Sequence, residues 1–213
     1  PGRPRQCQDE GMGSIVVQAF VTLDGVSQAP GGAEEDTEGG FTHGGWQLAY
    51  DDHDLDGERG SIVEEWESKT ETLLLGRKTY DIWKNAWGVW NEDAPGFMGE
   101  LTRRYNRVPK YVASHSTIDL PWKNSHQLGP DLPRAVRKLR QERDGEIRVW
   151  GSTVLIRTLA EHDLVDEYRL AVYPLVLGTG KKVFSDEFPL TRLALAESRT
   201  LKSGVLVNTY RRA

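Results

Sequence analysis

A chain of 213 residues, 38% hydrophobic and 28% charged, is long enough to bury one sizeable core and has the composition of an ordinary globular domain. Its net charge of -5 provides no field to hold a polyanion, which disfavours nucleic-acid binding, and its one cysteine, Cys7, cannot form an internal disulfide. No apolar run is long enough for a signal peptide or a membrane span, so a cytoplasmic protein is expected.

Residues 1–13 are polar, rich in Gly and Pro and without periodicity, which predicts a disordered tail or an expression remnant, with the domain running over 14–213. Ile15 to Val21 is β-branched and nearly continuous in apolarity, as in a strand covered on both faces. It ends in Thr22-Leu23-Asp24-Gly25, where Asp24 is either a turn residue satisfying backbone amides or a functional carboxylate at a strand end. From Gln28 to Gly60 the chain turns to Gly, Asp, Glu and His, a length and composition expected of a lid or substrate loop. Asp51, Asp52, Asp54 and Asp56 do not make an EF-hand, because Asp56 and Ile62 stand where its glycine and glutamate belong, and no metal is expected. Ser61 reads as the cap of a helix carrying Ile62, Val63 and Trp66.

Thr72 to Leu75 is too short for a helix and breaks at Gly76, after which Arg77, Lys78 and Thr79 open an amphipathic segment from Tyr80 to Trp83. Strand, tight turn and helix start, with two cations, is the arrangement of a phosphate site; a capped helix with a solvated basic pair is the plainer alternative. Trp46, Trp83, Trp87 and Trp90 lie close in sequence and are either core filling or a wall for a flat aromatic ligand. A helix over Phe97 to Arg107 stops at Pro109, Lys110 to Ser114 is a strand closing on Ser114-His115-Ser116, and Asp131 caps a helix that Gly145 ends. Ile147 to Trp150 is a strand breaking at Gly151-Ser152-Thr153 into another helix. Strands ending in small or hydroxyl residues and leading into helices predict an α/β fold that binds ligand at the strands' carboxyl ends. Glu167 to Val176, Leu193 to Thr200 and Val205 to Tyr210 then predict antiparallel strands completing a mostly parallel sheet, the last two a hairpin across Ser203-Gly204. The turn Gly178-Thr179-Gly180-Lys181-Lys182 fits neither a Walker A loop nor a dinucleotide fingerprint, for Leu175 and Val183 stand where glycines are required. Neither a zinc-protease motif nor a nucleophile elbow occurs.

In one order, Thr22 to Gly25, Phe41 to Trp46, Leu73 to Tyr80, Lys110 to Ser114, Trp150 to Ser152 and Val165 to Phe184 resemble the dihydrofolate-reductase-like superfamily. Within it they are similar to the reductase domain of the bifunctional riboflavin-biosynthesis deaminase-reductase, over about Ser14 to the end of the chain. The resemblance implies a three-layer fold, a homodimer and NADPH lying across the strand ends, beside Ala19 and Gly25. Gly76, Arg77, Lys78 and Thr79 would hold the cofactor phosphates, with Ser114 and His115 near the 2'-phosphate, and Gly151, Ser152 and Thr153 on the pyrophosphate. Asp24 would orient substrate or relay a proton, and Trp46, Asp51, Trp83 and Trp87 would flank the substrate. The implied reaction is reduction of 5-amino-6-(5-phosphoribosylamino)uracil. Reduction of dihydrofolate or another pteridine is the alternative, and a cofactor-binding protein without hydride transfer is the non-enzymatic rival.

Overall fold

The computed structural model describes residues 11–50 and 57–213; Asp51, expected at the substrate, lies outside the described residues, as do residues 1–10 of the expected tail. Each apolar run becomes a strand or a helix face according to its period. In chain order the elements are β1 (Ser14–Thr22), α1 (Glu58–Ser68), β2 (Thr70–Gly76), α2 (Arg77–Lys84), α3 (Gly96–Arg107), β3 (Lys110–Ala113) and β4 (Ser125–Gln127). There follow α4 (Leu132–Glu142), β5 (Glu146–Trp150), α5 (Thr153–Glu161), β6 (Glu167–Tyr173), β7 (Leu193–Thr200) and β8 (Leu206–Arg212).

The strands form one sheet in the order β4-β3-β2-β5-β1-β6-β8-β7, parallel from β4 to β6 and antiparallel for β8 and β7. Alternation sends Ile15, Val17, Ala19 and Val21 of β1 with Ile147 and Val149 of β5 to one face, where Val136 and Leu139 of α4 and Leu155, Ile156 and Leu159 of α5 cover them. On the opposite face Leu73 and Leu75 pack with Tyr80, Leu101, Tyr105 and Trp150. Leu73, Leu74 and Leu75 are all fully buried, which explains a strand with no polar alternation and stabilises the fold by about 1.5–3 kcal/mol per side chain. The same opposite face carries a polar stripe against α1: buried Arg148 is 3.5 Å from Glu67 and reaches Gln18 and Glu146, and Arg169 pairs with Glu146 at 2.6 Å.

The structure corrects several boundaries. Helix α1 begins at Glu58, three residues before Ser61, whose hydroxyl donates to the Gly57 carbonyl instead of capping. β6 stops at Tyr173 because Pro174 has no N–H, and Leu175 instead accepts from Leu23 N at 2.8 Å. Helix α4 ends at Glu142, and Gly145 makes the turn into β5 with φ +73. The three-residue strand β4 has no apolar signal, since Ser125, His126 and Gln127 lie at the sheet's exposed edge.

Candidate active site

Parallel strands deliver their carboxyl ends to one side of the sheet, and there two of the glycine breaks lock together. At the end of β2 the Gly76 amide donates to Ser152 Oγ at 2.9 Å; at the end of β5 the Ser152 amide donates to Thr79 Oγ1 at 3.1 Å, and the two hydroxyls lie 2.6 Å apart. A Cβ on Gly76 would meet Ser152 Oγ at 2.8 Å, and Gly151 holds φ +58 against Thr79, so both glycines are dictated by this close approach. The amides of Gly76 and Ser152 are thereby used inside the protein. The amides of Thr153 and Val154 come next, in the first turn of α5, where no side chain caps the helix and no helix-internal acceptor exists for them.

These breaks line a cavity of about 1240 Å³. Ala19, Gly76, Arg77, Lys78, Thr79, Ser114, His115, Gly151, Ser152 and Thr153 all border it, so ten of the residues expected at a cofactor come together. Arg77 pairs with Asp81, and the Ser114 hydroxyl donates to the Ser116 carbonyl at 2.8 Å. Beyond the strand ends the wall is aromatic. Trp83, Trp87, Trp90, Tyr105, Trp150 and Phe20 border the cavity, with ring centroids of 4.6 Å for Trp87 and Trp90, 6.0 Å for Trp83 and Trp87, and 5.2 Å for Phe20 and Trp150. Behind it, buried Glu67 accepts from Trp150 Nε1 at 2.9 Å, drawing that polar edge away from the cavity and leaving the ring for contact.

The third side is the 28–50 segment, and a buried side chain foreseen by no sequence signal organises it. The Gln28 amide donates to the carbonyls of Asp36 (3.1 Å) and Glu38 (3.0 Å) while its Oε1 accepts from Lys181 N at 3.0 Å. The segment is thus tied to the glycine turn after β6, where a Cβ on Gly180 would strike Val26 and Phe41 at 2.7 and 2.8 Å. Asp36 is held between two lysines, 2.9 Å from Lys78 and 2.8 Å from Lys181, and Glu38 pairs with the same two. Burial alone would raise Asp36, but the hydrogen bonds from Lys181 and Lys78 outweigh it and hold the carboxyl at about 2.

Three of the expected residues are not brought to the cavity. Asp24 accepts from Thr22 Oγ1 at 2.6 Å, Leu177 N at 3.3 Å and Gly178 N at 2.8 Å; the Thr22 hydroxyl above all, with the backbone amides, keeps it below the ordinary carboxylate range against the opposing effect of burial. Gly25 turns beside it with φ +84, its carbonyl accepting from Val183 N. Trp46 is buried under the segment, its Nε1 donating to the Gln28 carbonyl at 2.8 Å and its ring set edge-on to Tyr173, which makes it packing and not wall. Glu34, Glu35, Asp36 and Glu38 border the cavity, and of these burial pushes Glu35 up despite hydrogen bonds from the amides of Gly31 and Gly32, whereas the two lysines hold Asp36 and Glu38 down.

The comparisons agree with this geometry. The sequence is 28% identical over 200 residues to YyaP of Bacillus subtilis, a protein of uncharacterised function, covering 92% of this chain and 93% of that one. A Shewanella sp. PV-4 protein assigned to riboflavin biosynthesis shares the fold with a TM-score of 0.69 at 18% identity, covering 94% of this chain and 99% of that one. The dihydrofolate reductase of Enterococcus faecalis, solved with NADP(H), shares it at 0.55 and 13% identity, covering 94% and 97%. The pattern of the RibD C-terminal domain matches residues 14–207, from β1 to the start of β8 and including every side of the cavity, and the chain therefore belongs to the RibD C-terminal domain family.

Proposed function

We propose that this protein is an NADPH-dependent reductase of a small planar heterocycle, its reference reaction being the reduction of 5-amino-6-(5-phosphoribosylamino)uracil. The observation that carries the reading is a single cavity in which cationic and hydroxyl-bearing strand ends adjoin a wall of stacked aromatic rings. Membership of a riboflavin-pathway reductase family supports the reaction class, and the NADP(H) complex of a protein with this fold supports the cofactor.

The donor set suits a phosphorylated dinucleotide: Arg77, Lys78 and His115 offer cations or donors, Ser114 and Thr153 offer hydroxyls, and α5 offers first-turn amides. The cavity exceeds the usual range of about 300–1,000 Å³ for a single small ligand, consistent with room for two. The bound nicotinamide supplies the hydride. The chain's work is to hold the acceptor ring flat against Trp83, Trp87 and Trp90, to keep water from it, and to supply the proton that hydride addition to a C=N bond requires. With the Asp24 oxygens committed to the 22–25 and 177–178 turns, Glu35 is the group we assign to that proton: its raised pKa keeps it protonated to higher pH than an ordinary glutamate.

Titrating NADPH and NADH side by side against tryptophan fluorescence tests the reading. Saturation by NADPH with much weaker NADH binding is expected, and Lys78→Ala should weaken NADPH more than NADH. Equal losses for both remove the 2'-phosphate assignment, and binding of neither dinucleotide removes the reductase reading. The apolar depth of the wall also favours a pteridine substrate, which turnover of dihydrofolate with antifolate inhibition would select. NADPH binding without hydride loss over a panel of imines and pterins points instead to a cofactor-binding protein.

A further inference from the structure

Lys181 was not expected at the site, yet it borders the cavity together with Lys78. One lysine stands in the first turn of α2 and the other in the turn after β6, 103 residues later, and they converge on the same two carboxylates. Asp36 and Glu38 project from the 28–50 segment, whose Gln28 side chain fixes both of their backbone carbonyls and the Lys181 amide. Asp36 is the more enclosed of the pair, with its side chain 12% exposed, whereas that of Glu38 is 59% exposed. Two ammonium groups gathered around several carboxylate oxygens, at the edge of a cavity whose other polar groups suit phosphate, form the coordination a phosphate group would itself receive.

We propose that Lys78 and Lys181 form a two-lysine phosphate site and that Asp36 and Glu38 are its internal stand-in, clasping the 28–50 segment over the cavity until the phosphate of an entering nucleotide displaces them. The assignment deepens the reductase reading and rests on it for the identity of the nucleotide. The consequence is competition. Each ligand phosphate oxygen replaces a carboxylate oxygen on a lysine, and the freed segment then opens or re-seats on the ligand. Affinity for a phosphate-bearing ligand is reduced by the fraction of molecules in which the clasp is closed. The clasp is partly solvated, so salt acts on it as well as on the ligand.

The test measures NADPH and inorganic pyrophosphate binding by tryptophan quenching, and amide exchange of residues 28–50, on the wild-type chain, the double variant Asp36→Asn/Glu38→Gln and the variant Lys181→Ala. Losing one tenfold closure bias corresponds to about 1.4 kcal/mol, so the double variant should bind both probes roughly tenfold more tightly. Its segment should exchange faster without ligand, and Lys181→Ala should bind both probes more weakly. In the wild-type chain, which needs no folding control, pyrophosphate alone should speed exchange in the segment. Unchanged or weaker binding by the double variant overturns the proposal, because the carboxylates would then be positioning the lysines. Pyrophosphate that leaves wild-type exchange untouched also overturns it. A wild-type chain that ignores NADPH but loosens with pyrophosphate removes the reductase reading and keeps the clasp; NADPH binding indifferent to the double variant does the reverse.

Discussion

Two carboxylates, Asp24 in the turn after β1 and Glu35 in the 28–50 segment, are pushed in opposite directions by their surroundings. Asp24 is drawn below its ordinary range by the Thr22 hydroxyl and two backbone amides, whereas burial raises Glu35 on the cavity wall. A carboxyl so stabilised in its charged form is a poor proton donor, and one whose protonated form burial favours is a better one. Glu35→Gln is therefore expected to lower turnover by about 10²–10⁴-fold with nicotinamide binding preserved and to remove the fall in rate as pH rises through the Glu35 pKa, read by steady-state kinetics against pH. Asp24→Asn is expected to weaken the 22–25 to 177–178 junction by about 1 kcal/mol in denaturant unfolding while leaving the pH profile in place. The sign for stability follows too: Glu35 binds its proton more tightly folded than unfolded, so its contribution is full at low pH and is lost as pH rises through its folded-state value. At this scale Gly76, Arg77 and Lys78 are legible in sequence because a strand break followed by two cations is local. Glu35 and Gln28 are not, because a glutamate in an acidic loop looks solvated until the fold encloses it.

Helix α3 shows how an element's end is completed from outside. The Tyr105 carbonyl should accept from residue 109, but Pro109 has no N–H; the fully buried Lys110 ammonium donates to it instead, and to the Val108 carbonyl at 2.8 Å, lying 4.5 Å from the Trp122 ring. Burial, with a smaller effect of Lys123, lowers Lys110 to about 7 from 10.5. The unfolded chain holds that proton more tightly than the folded one, so stability should rise as pH climbs from about 7 to about 10.5. Lys110→Met should remove this slope and, by orphaning two carbonyls, cost about 1–3 kcal/mol per unsatisfied group in urea melts at pH 7. The sequence predicts the helix and its stop at Pro109. It does not announce that a lysine at the start of a strand serves as the cap, because that use depends on the space under Trp122.

Across the molecule, the antiparallel end of the sheet is the surface we assign to the expected homodimer. β7 is an edge strand with every residue from Ala194 to Thr200 exposed, and Leu195 is 58% exposed. Sedimentation at micromolar concentration should give twice the chain mass, and Leu195→Glu should return it to one chain; a wild-type monomer removes the dimer. The sequence by itself determined the α/β class, the run of strands apart from β4, the glycine breaks that carry Gly76 and Gly151, and the family resemblance, since each is written in period, turn chemistry or contiguous motif. Only the tertiary structure decided that β5 lies between β2 and β1, that Trp46 and Asp24 turn away from the cavity, and that Lys181 meets Lys78 across Asp36 and Glu38. These are contacts between residues far apart in the chain, fixed by how the sheet is ordered and how the turns pack upon it, and no local pattern of side chains encodes them.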